Sequence, residues 1–503
     1  MEPALALYAR GRADYSDCLH AALAAQAGQQ PLWTFDRAWG SFTSGQQAHS
    51  RDLPSLPPEG ALAADRRSRI RARLLVGPFS CGRGRASRRW RTEWQDRRMP
   101  LDLGAFRLTD PPPGFVDDPY PFYAALRERA PVHEMAAGML LLTRYADVAA
   151  LYRDPRASSD KRREFAPKFG DSPLFEHHTT SLVFNDPPLH TRVRRLMMGA
   201  LSQRAIARME AGVVALVDRL LDRLETLDAP DLIDDFASRI PVEVIGNLLD
   251  VPHAERAPLR DWSLAILSAL EPAPGTDVLA RGNAAVEAFK HSLEAQVEAR
   301  RRTPGDPEVD VLTRLIEGEH GGERLTPLEL LHNCIFLLNA GHETTTNLIG
   351  NGMQALFTHR DQLDRIVAEP ALLGSAVEEL LRYESPLQLN NRMLVAPTTI
   401  GDKEWPAGTF VTFGVGAANR DPAQFAEPDR LDIARKPNLH VAFGHGAHAC
   451  AGMNVARLEA RIAIGRLVAR FPGIEPAGAP ERDSRVRFRG FRRLPVRVKA
   501  RGS

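Results

Sequence analysis

Cysteine is scarce in this chain: four residues in 503, Cys18, Cys81, Cys334 and Cys450, with no paired spacing. That scarcity excludes a disulfide framework and predicts a reducing, cytoplasmic compartment. Net charge is nearly absent too, because 65 Lys and Arg stand against 63 Asp and Glu, a balance of +2. No global field draws the protein to nucleic acid or to an anionic membrane. Nor does any run approach the ~20 apolar residues that span a bilayer, and no basic-then-apolar leader pattern is visible. The expectation is a cytoplasmic monomer without a nucleic-acid or membrane partner.

What is present divides into three. Residues 1–40 pair a helical stretch, Asp14 to Ala25, with a short strand-like piece around Leu32 to Asp36, as in the end of an α/β unit. Residues 41–98 are rich in Pro, Gly, Ser and Arg without periodicity and read as a disordered linker. From Met99 to the C-terminus, helices with clear stops alternate with short strands. Helical periodicity covers 117–130, 189–201, 205–227, 231–249 and 279–302, strand-like pieces lie at 138–143 and within 394–411, and a last helix covers 453–471. The longest helix is expected over 327–357, with Thr326 as N-cap and Pro327 in the first turn. A helix so long and apolar must cross the core.

The most informative stretch is Phe443-Gly444-His445-Gly446-Ala447-His448-Ala449-Cys450-Ala451-Gly452. Three glycines bend the chain tightly around a cysteine just before a helix, where backbone N–H groups face the sulfur and favour the thiolate. Upstream, Glu379 and Arg382 lie three apart on a helix, and Asn419-Arg420-Asp421-Pro422 is followed by Glu427-Pro428-Asp429-Arg430. The pattern F-x-x-G-x-H-x-C-x-G, the E-x-x-R pair and the later arginine resemble the cytochrome P-450 family of haem-thiolate monooxygenases, from about residue 110 to the C-terminus.

This resemblance implies a mainly α fold with small β-sheets and haem b held through Cys450. It implies that Phe443, Gly444 and Gly452 shape the ligand loop and that Glu379, Arg382 and Arg430 form a buried ionic cluster bracing it. His190 and Arg194, four apart on one helical face, together with Arg392 and His448, match the positions that hold the haem propionates. Arg192 and Arg195 are expected to be solvated neighbours.

Asn339-Ala340-Gly341-His342-Glu343-Thr344-Thr345-Thr346 interrupts the apolar helix with polar and β-branched residues that helix stability disfavours. The family's A-G-x-(D/E)-T is matched at every position. By that resemblance Ala340 and Gly341 leave room for dioxygen, Thr344 presents a hydroxyl and Glu343 links it to a proton source. His342 does not make a zinc-protease site, because H-E-x-x-H is incomplete. The implied reaction inserts one oxygen atom into a small organic substrate, with electrons from a ferredoxin and an NAD(P)H-dependent ferredoxin reductase. Segments 163–184, 335–339 and 386–391 are expected to line a largely apolar substrate pocket.

A different function competes at the other end. Residues 11–36 resemble the C-terminal end of PIN-domain ribonucleases, and Asp17 and Asp36 match two of that family's metal-binding acids. Two further acids are missing, so a metal-dependent ribonuclease is the alternative and a fusion remnant the simpler reading.

Overall fold

The computed structural model describes residues 102–307, 310–318 and 324–498. The expected remnant (1–40) and linker (41–98) lie outside the described residues. The chain divides into two units, residues 1–88 and 89–503, and every described residue belongs to the second.

Helices dominate that unit. The principal ones are α1 (Tyr120–Arg129), α2 (Arg162–Phe169), α3 (Pro173–Thr180), α4 (Leu189–Ala200), α5 (Gln203–Glu225) and α6 (Arg239–Leu248). They continue with α7 (Leu259–Ser268), α8 (Thr276–Arg302), α9 (Pro327–Thr358), α10 (Leu373–Tyr383) and α11 (Met453–Arg470). A five-stranded sheet stands beside them, built from β1 (Val132–Ala136), β2 (Met139–Leu142), β3 (Ala157–Ser158), β4 (Leu389–Leu394) and β5 (Phe410–Gly414) in the order β1-β2-β5-β4-β3. β2 runs parallel to β5, whereas β4 runs antiparallel to it and pairs Arg392 with Val411. The mainly α class with small sheets is as the sequence predicts.

α9 carries the expected start. The Thr326 side chain accepts from the Glu329 amide at 3.2 Å, and the Glu329 carboxylate accepts from the Thr326 amide at 2.9 Å. This reciprocal cap, with Pro327 behind it, fixes where the helix begins. Its middle then runs through the core, with Leu338, Leu348, Ile349, Met353 and Leu356 all buried. Arg192, expected in solvent, instead donates to Glu329 Oε2 at 3.1 Å and ties α4 to the head of α9.

The single helix expected over 231–249 is broken. A π-helical turn, Leu232–Ala237, precedes α6, which starts at Arg239. Pro241 has no amide to offer the Ala237 carbonyl, so a regular helix cannot pass. Asp231 anchors the turn by accepting from the Ile233 amide at 2.9 Å and from the distant Leu494 amide at 3.0 Å.

Candidate functional site

The cysteine loop takes its shape from two left-handed glycines, Gly444 (φ 65°) and Gly446 (φ 70°). A Cβ on Gly446 would lie 2.5 Å from the Tyr152 carbonyl oxygen, so only glycine fits there. The Cys450 amide donates to the Phe443 carbonyl at 2.9 Å, closing the loop on itself, and Gly452 stands immediately before α11. Burial pushes the Cys450 thiol up, against the opposing pull of the Gly452 amide, Arg194 and Arg457. The loop by itself therefore does not favour thiolate as the sequence led us to expect.

Behind the loop stands the ionic brace. Arg382 grips Glu379 with two parallel bonds of 2.8 Å, and both side chains are fully buried. The remaining Arg382 donors reach the Asn419, Pro428 and Arg430 carbonyls at 2.9, 2.8 and 3.2 Å. Asn419 Oδ1 in turn accepts from the Val441 amide at 2.8 Å, and Val441 accepts from the Gly444 amide at 2.9 Å. The brace thus reaches the loop through an unbroken chain of hydrogen bonds.

Its third member is not Arg430. That side chain is 59% exposed and pairs with the still more exposed Glu427. Arg435 takes the place, with Nε 3.1 Å from both oxygens of Glu379. Arg430 contributes only its carbonyl, which also accepts from Arg435 at 3.1 Å. A second brace escaped the sequence reading: Glu378 accepts from Arg457 at 2.7 and 2.8 Å and pairs with His440 at 3.1 Å. The Arg457 guanidinium lies 4.7 Å over the Phe443 ring.

Four further expected residues come together beside Cys450. Arg194, on α4, donates to the Ala449 carbonyl at 2.6 Å. His190, one turn earlier, lies against His448 with ring centroids 3.9 Å apart. Arg392, on β4, rests over Tyr152 and Phe413 and donates to the Asn391 carbonyl at 2.8 Å. Burial, reinforced by Arg194 and Arg392, lowers His190 to about 4 and His448 to about 2, so both rings are neutral. Neither Arg194 nor Arg392 has an ion-pair partner among the described residues, and both ring nitrogens of His190 are buried without one. Two guanidiniums without a carboxylate partner and an orphaned imidazole beside a cysteine suit a group with two carboxylates and a thiolate-seeking metal.

On α9, Ala340 is exposed and Thr344 is half-buried, whereas His342, Glu343 and Thr345 are buried. The Thr344 hydroxyl donates to the Ala340 carbonyl at 2.6 Å. Gly341 has a packing reason that the sequence did not reveal: a Cβ there would lie 2.9 Å from Ile245 Cδ1 of α6. Glu343 is ion-paired with Arg485 from the C-terminal segment. Burial raises its carboxyl above the usual range while Arg485 pulls it back. Both border a cavity of about 910 Å³, together with His342, Arg260, Glu271 and Asp483. Among the described residues no three His, Cys, Asp or Glu side chains gather to hold a bare metal ion.

A helical domain that heads one core helix with a cysteine loop, surrounds that loop with unpaired cations and carries a polar break in a second core helix is built as a haem-thiolate protein. Comparison with known proteins agrees. A family model for cytochrome P450 matches residues 270–495. Over 402 residues the chain is 39% identical to cytochrome P450 107B1 of Saccharopolyspora erythraea, covering 76% of this chain and 96% of that one. It is 40% identical over 397 residues to the vitamin D(3) 25-hydroxylase of Pseudonocardia autotrophica, covering 77% and 96%. The crystal structure of CalO2 superposes with a TM-score of 0.74 at 32% identity, covering 79% of this chain and 100% of that one. The chain belongs to the cytochrome P450 family. It is accordingly a haem-dependent monooxygenase with haem b as cofactor, and such enzymes use redox partners and organic substrates. Among the described residues no helix is long and apolar enough to cross a membrane.

Proposed function

We propose that Cys450 would hold the haem iron through its sulfur and that Arg194, Arg392, His190 and His448 would hold the propionates. The observation that carries this reading is the stacked His190–His448 pair beside Arg194, whose guanidinium reaches the carbonyl adjoining the cysteine. When bound, haem supplies dioxygen activation and transfer of one oxygen atom to the substrate. The chain supplies position and protons. Gly452 directs its amide at the sulfur and restrains its donation. Thr344 Oγ1 presents a hydroxyl on the face of α9 where Ala340 is exposed, once it gives up the Ala340 carbonyl. Glu343, whose neutral form is favoured by burial, carries a proton from the polar cavity toward Thr344 Oγ1.

Electrons come from a ferredoxin and its NAD(P)H-dependent reductase in the cytoplasm. Of four cysteines in the chain, Cys450 serves the haem and Cys334 is buried in α9, so no set of four remains to hold an iron–sulfur cluster. The test is the reduced carbon monoxide difference spectrum of wild type and Cys450→Ser. The wild type should give the thiolate-haem band and the variant should lose it. A thiolate-type band in the variant would remove Cys450 from the iron.

A further inference from the structure

Within the segments expected to line the substrate pocket, one cluster carries more positive charge than its own carboxylates neutralise. Lys161, 1% exposed, donates to Glu164 Oε2 at 2.8 Å, and Glu164 Oε1 accepts from Asn391 at 2.6 Å. That pair is balanced. Beside it, Lys168 at the end of α2 donates only to the backbone carbonyl of Glu271, at 2.7 Å. Glu271 Oε2 accepts from the Val486 and Arg487 amides at 2.9 and 3.1 Å, and its Oε1 is buried without a partner. With Arg392 assigned to the haem site, Lys161, Lys168 and Arg487 face Glu164 and Glu271, which leaves one positive charge over.

Two donor groups at the same place lack partners as well. Arg487 Nε is buried with nothing to donate to, and both ring nitrogens of His178 are buried and unpartnered. His178 sits among Phe165, Phe169 and Phe184, with ring centroids 5.5, 5.3 and 5.3 Å away, and the Lys168 ammonium lies 5.2 Å over Phe169. Burial, with Lys168, His332 and Arg487, lowers His178 to about 3, so it is a neutral ring with one N–H to give. Buried donors without acceptors are costly and call for an explanation. Arg487 also abuts the pocket-lining segment 386–391, because its carbonyl accepts from the Gln388 amide at 2.8 Å.

We propose that Arg487, Lys168 and His178 bind a carboxylate, and that the substrate of this enzyme is an organic monocarboxylate whose apolar body lies along Phe165, Phe169 and Phe184. One surplus positive charge matches one carboxylate, and a guanidinium with an imidazole N–H supplies the directed donors it needs. The aromatic rings beside them accept the apolar remainder. This specificity rests on the haem-site reading above, since it takes the 163–184 and 386–391 segments as lining the substrate pocket.

The holoenzyme can be titrated with dodecanoate and 4-phenylbutyrate, each against its methyl ester, following both the spin-state change of the haem and the heat of binding. At least one acid should bind about tenfold or more tightly than its ester, as expected for a charge-assisted pair. R487Q and K168Q should each erase most of that preference while leaving ester binding and haem content as in wild type, and R487K should keep part of it. Equal binding of acid and ester in both pairs, no binding of either acid, or a preference that survives in both R487Q and K168Q would overturn the proposal. Calorimetry reads the acid preference without the haem spectrum, whereas loss of the thiolate-type carbon monoxide band in wild type would strike at the haem-site reading instead.

Discussion

Arg435 Nε lies 3.1 Å from both oxygens of Glu379, a carboxylate with no exposed surface, whereas Arg430 turns outward to Glu427. The difference predicts which arginine matters. Arg435→Leu withdraws one of the two cations that compensate Glu379 and should cost about 2 kcal/mol of stability and lower haem occupancy. Arg430→Ala breaks an exposed pair and should stay within about 1 kcal/mol of wild type. Urea unfolding and haem absorbance of both variants decide it. Equal losses would return Arg430 to the brace.

Thr344 and Ala340 set a second expectation. The hydroxyl now rests on the Ala340 carbonyl, so Thr344→Ala removes a proton carrier without opening a buried hole in the core. Haem content and substrate binding should persist while product per dioxygen falls about tenfold or more, with peroxide taking up the difference. Thr344→Ser should restore coupling in part. Dioxygen, peroxide and product must be measured together. Unchanged coupling in Thr344→Ala would leave the relay to Glu343 or Thr345, the next to be replaced.

Much of this site could be read from local spacing. Thr326, Pro327 and Glu329 define a cap within one turn, Glu379 and Arg382 share a helical face, and the glycines around Cys450 specify a bend. Of the arginines that escaped notice, Arg435 and Arg485 reach their partners across loops whose paths no local period fixes, and Arg487 is placed by the same irregular C-terminal segment. The only signal available was the basic character of the last segment, in which Arg482, Arg485, Arg487, Arg489, Arg492, Arg493 and Arg497 follow closely. Gly341 has a second reason that no local pattern shows: its close approach to Ile245, nearly a hundred positions away. The break at Leu232–Ala237 was legible in principle, since Pro241 excludes a continuous helix there, but the apolar period on either side concealed it.

Glu459 on α11 gives a pH prediction. It is 2% exposed, one carboxylate oxygen has no partner, and burial raises it from 4.5 to about 8. The folded protein therefore holds this proton over a range in which the unfolded chain has released it. Stability contributed by the neutral carboxyl is full below about 4.5 and is lost progressively as pH rises toward about 8. The slope is about 1.4 kcal/mol per pH unit. Glu459→Gln should flatten that part of the profile and unfold at higher urea than wild type at pH 9. Parallel profiles for the two proteins would mean that Glu459 is ionised in the native state.

The last prediction concerns the first hundred residues. Every residue placed at the haem site lies after Met99, and the described chain begins at Asp102. The apolar residues that follow are already committed to the core: Phe106 and Phe115 are 1% exposed and lie edge to face at 5.5 Å, and Phe115 packs likewise on Phe122 of α1. A chain shortened to begin at Met99 keeps all of these contacts, and it removes none of the described residues. It should fold and bind haem, with haem occupancy, carbon monoxide spectrum and turnover matching those of the full chain. The same pair of proteins tests the competing ribonuclease. Asp17 and Asp36 supply two acids where that chemistry needs more, so neither protein should cleave RNA with added magnesium or manganese. Loss of haem from the shortened protein would make residues 1–98 part of the monooxygenase's stability, and metal-dependent cleavage confined to the full chain would give them a chemistry of their own.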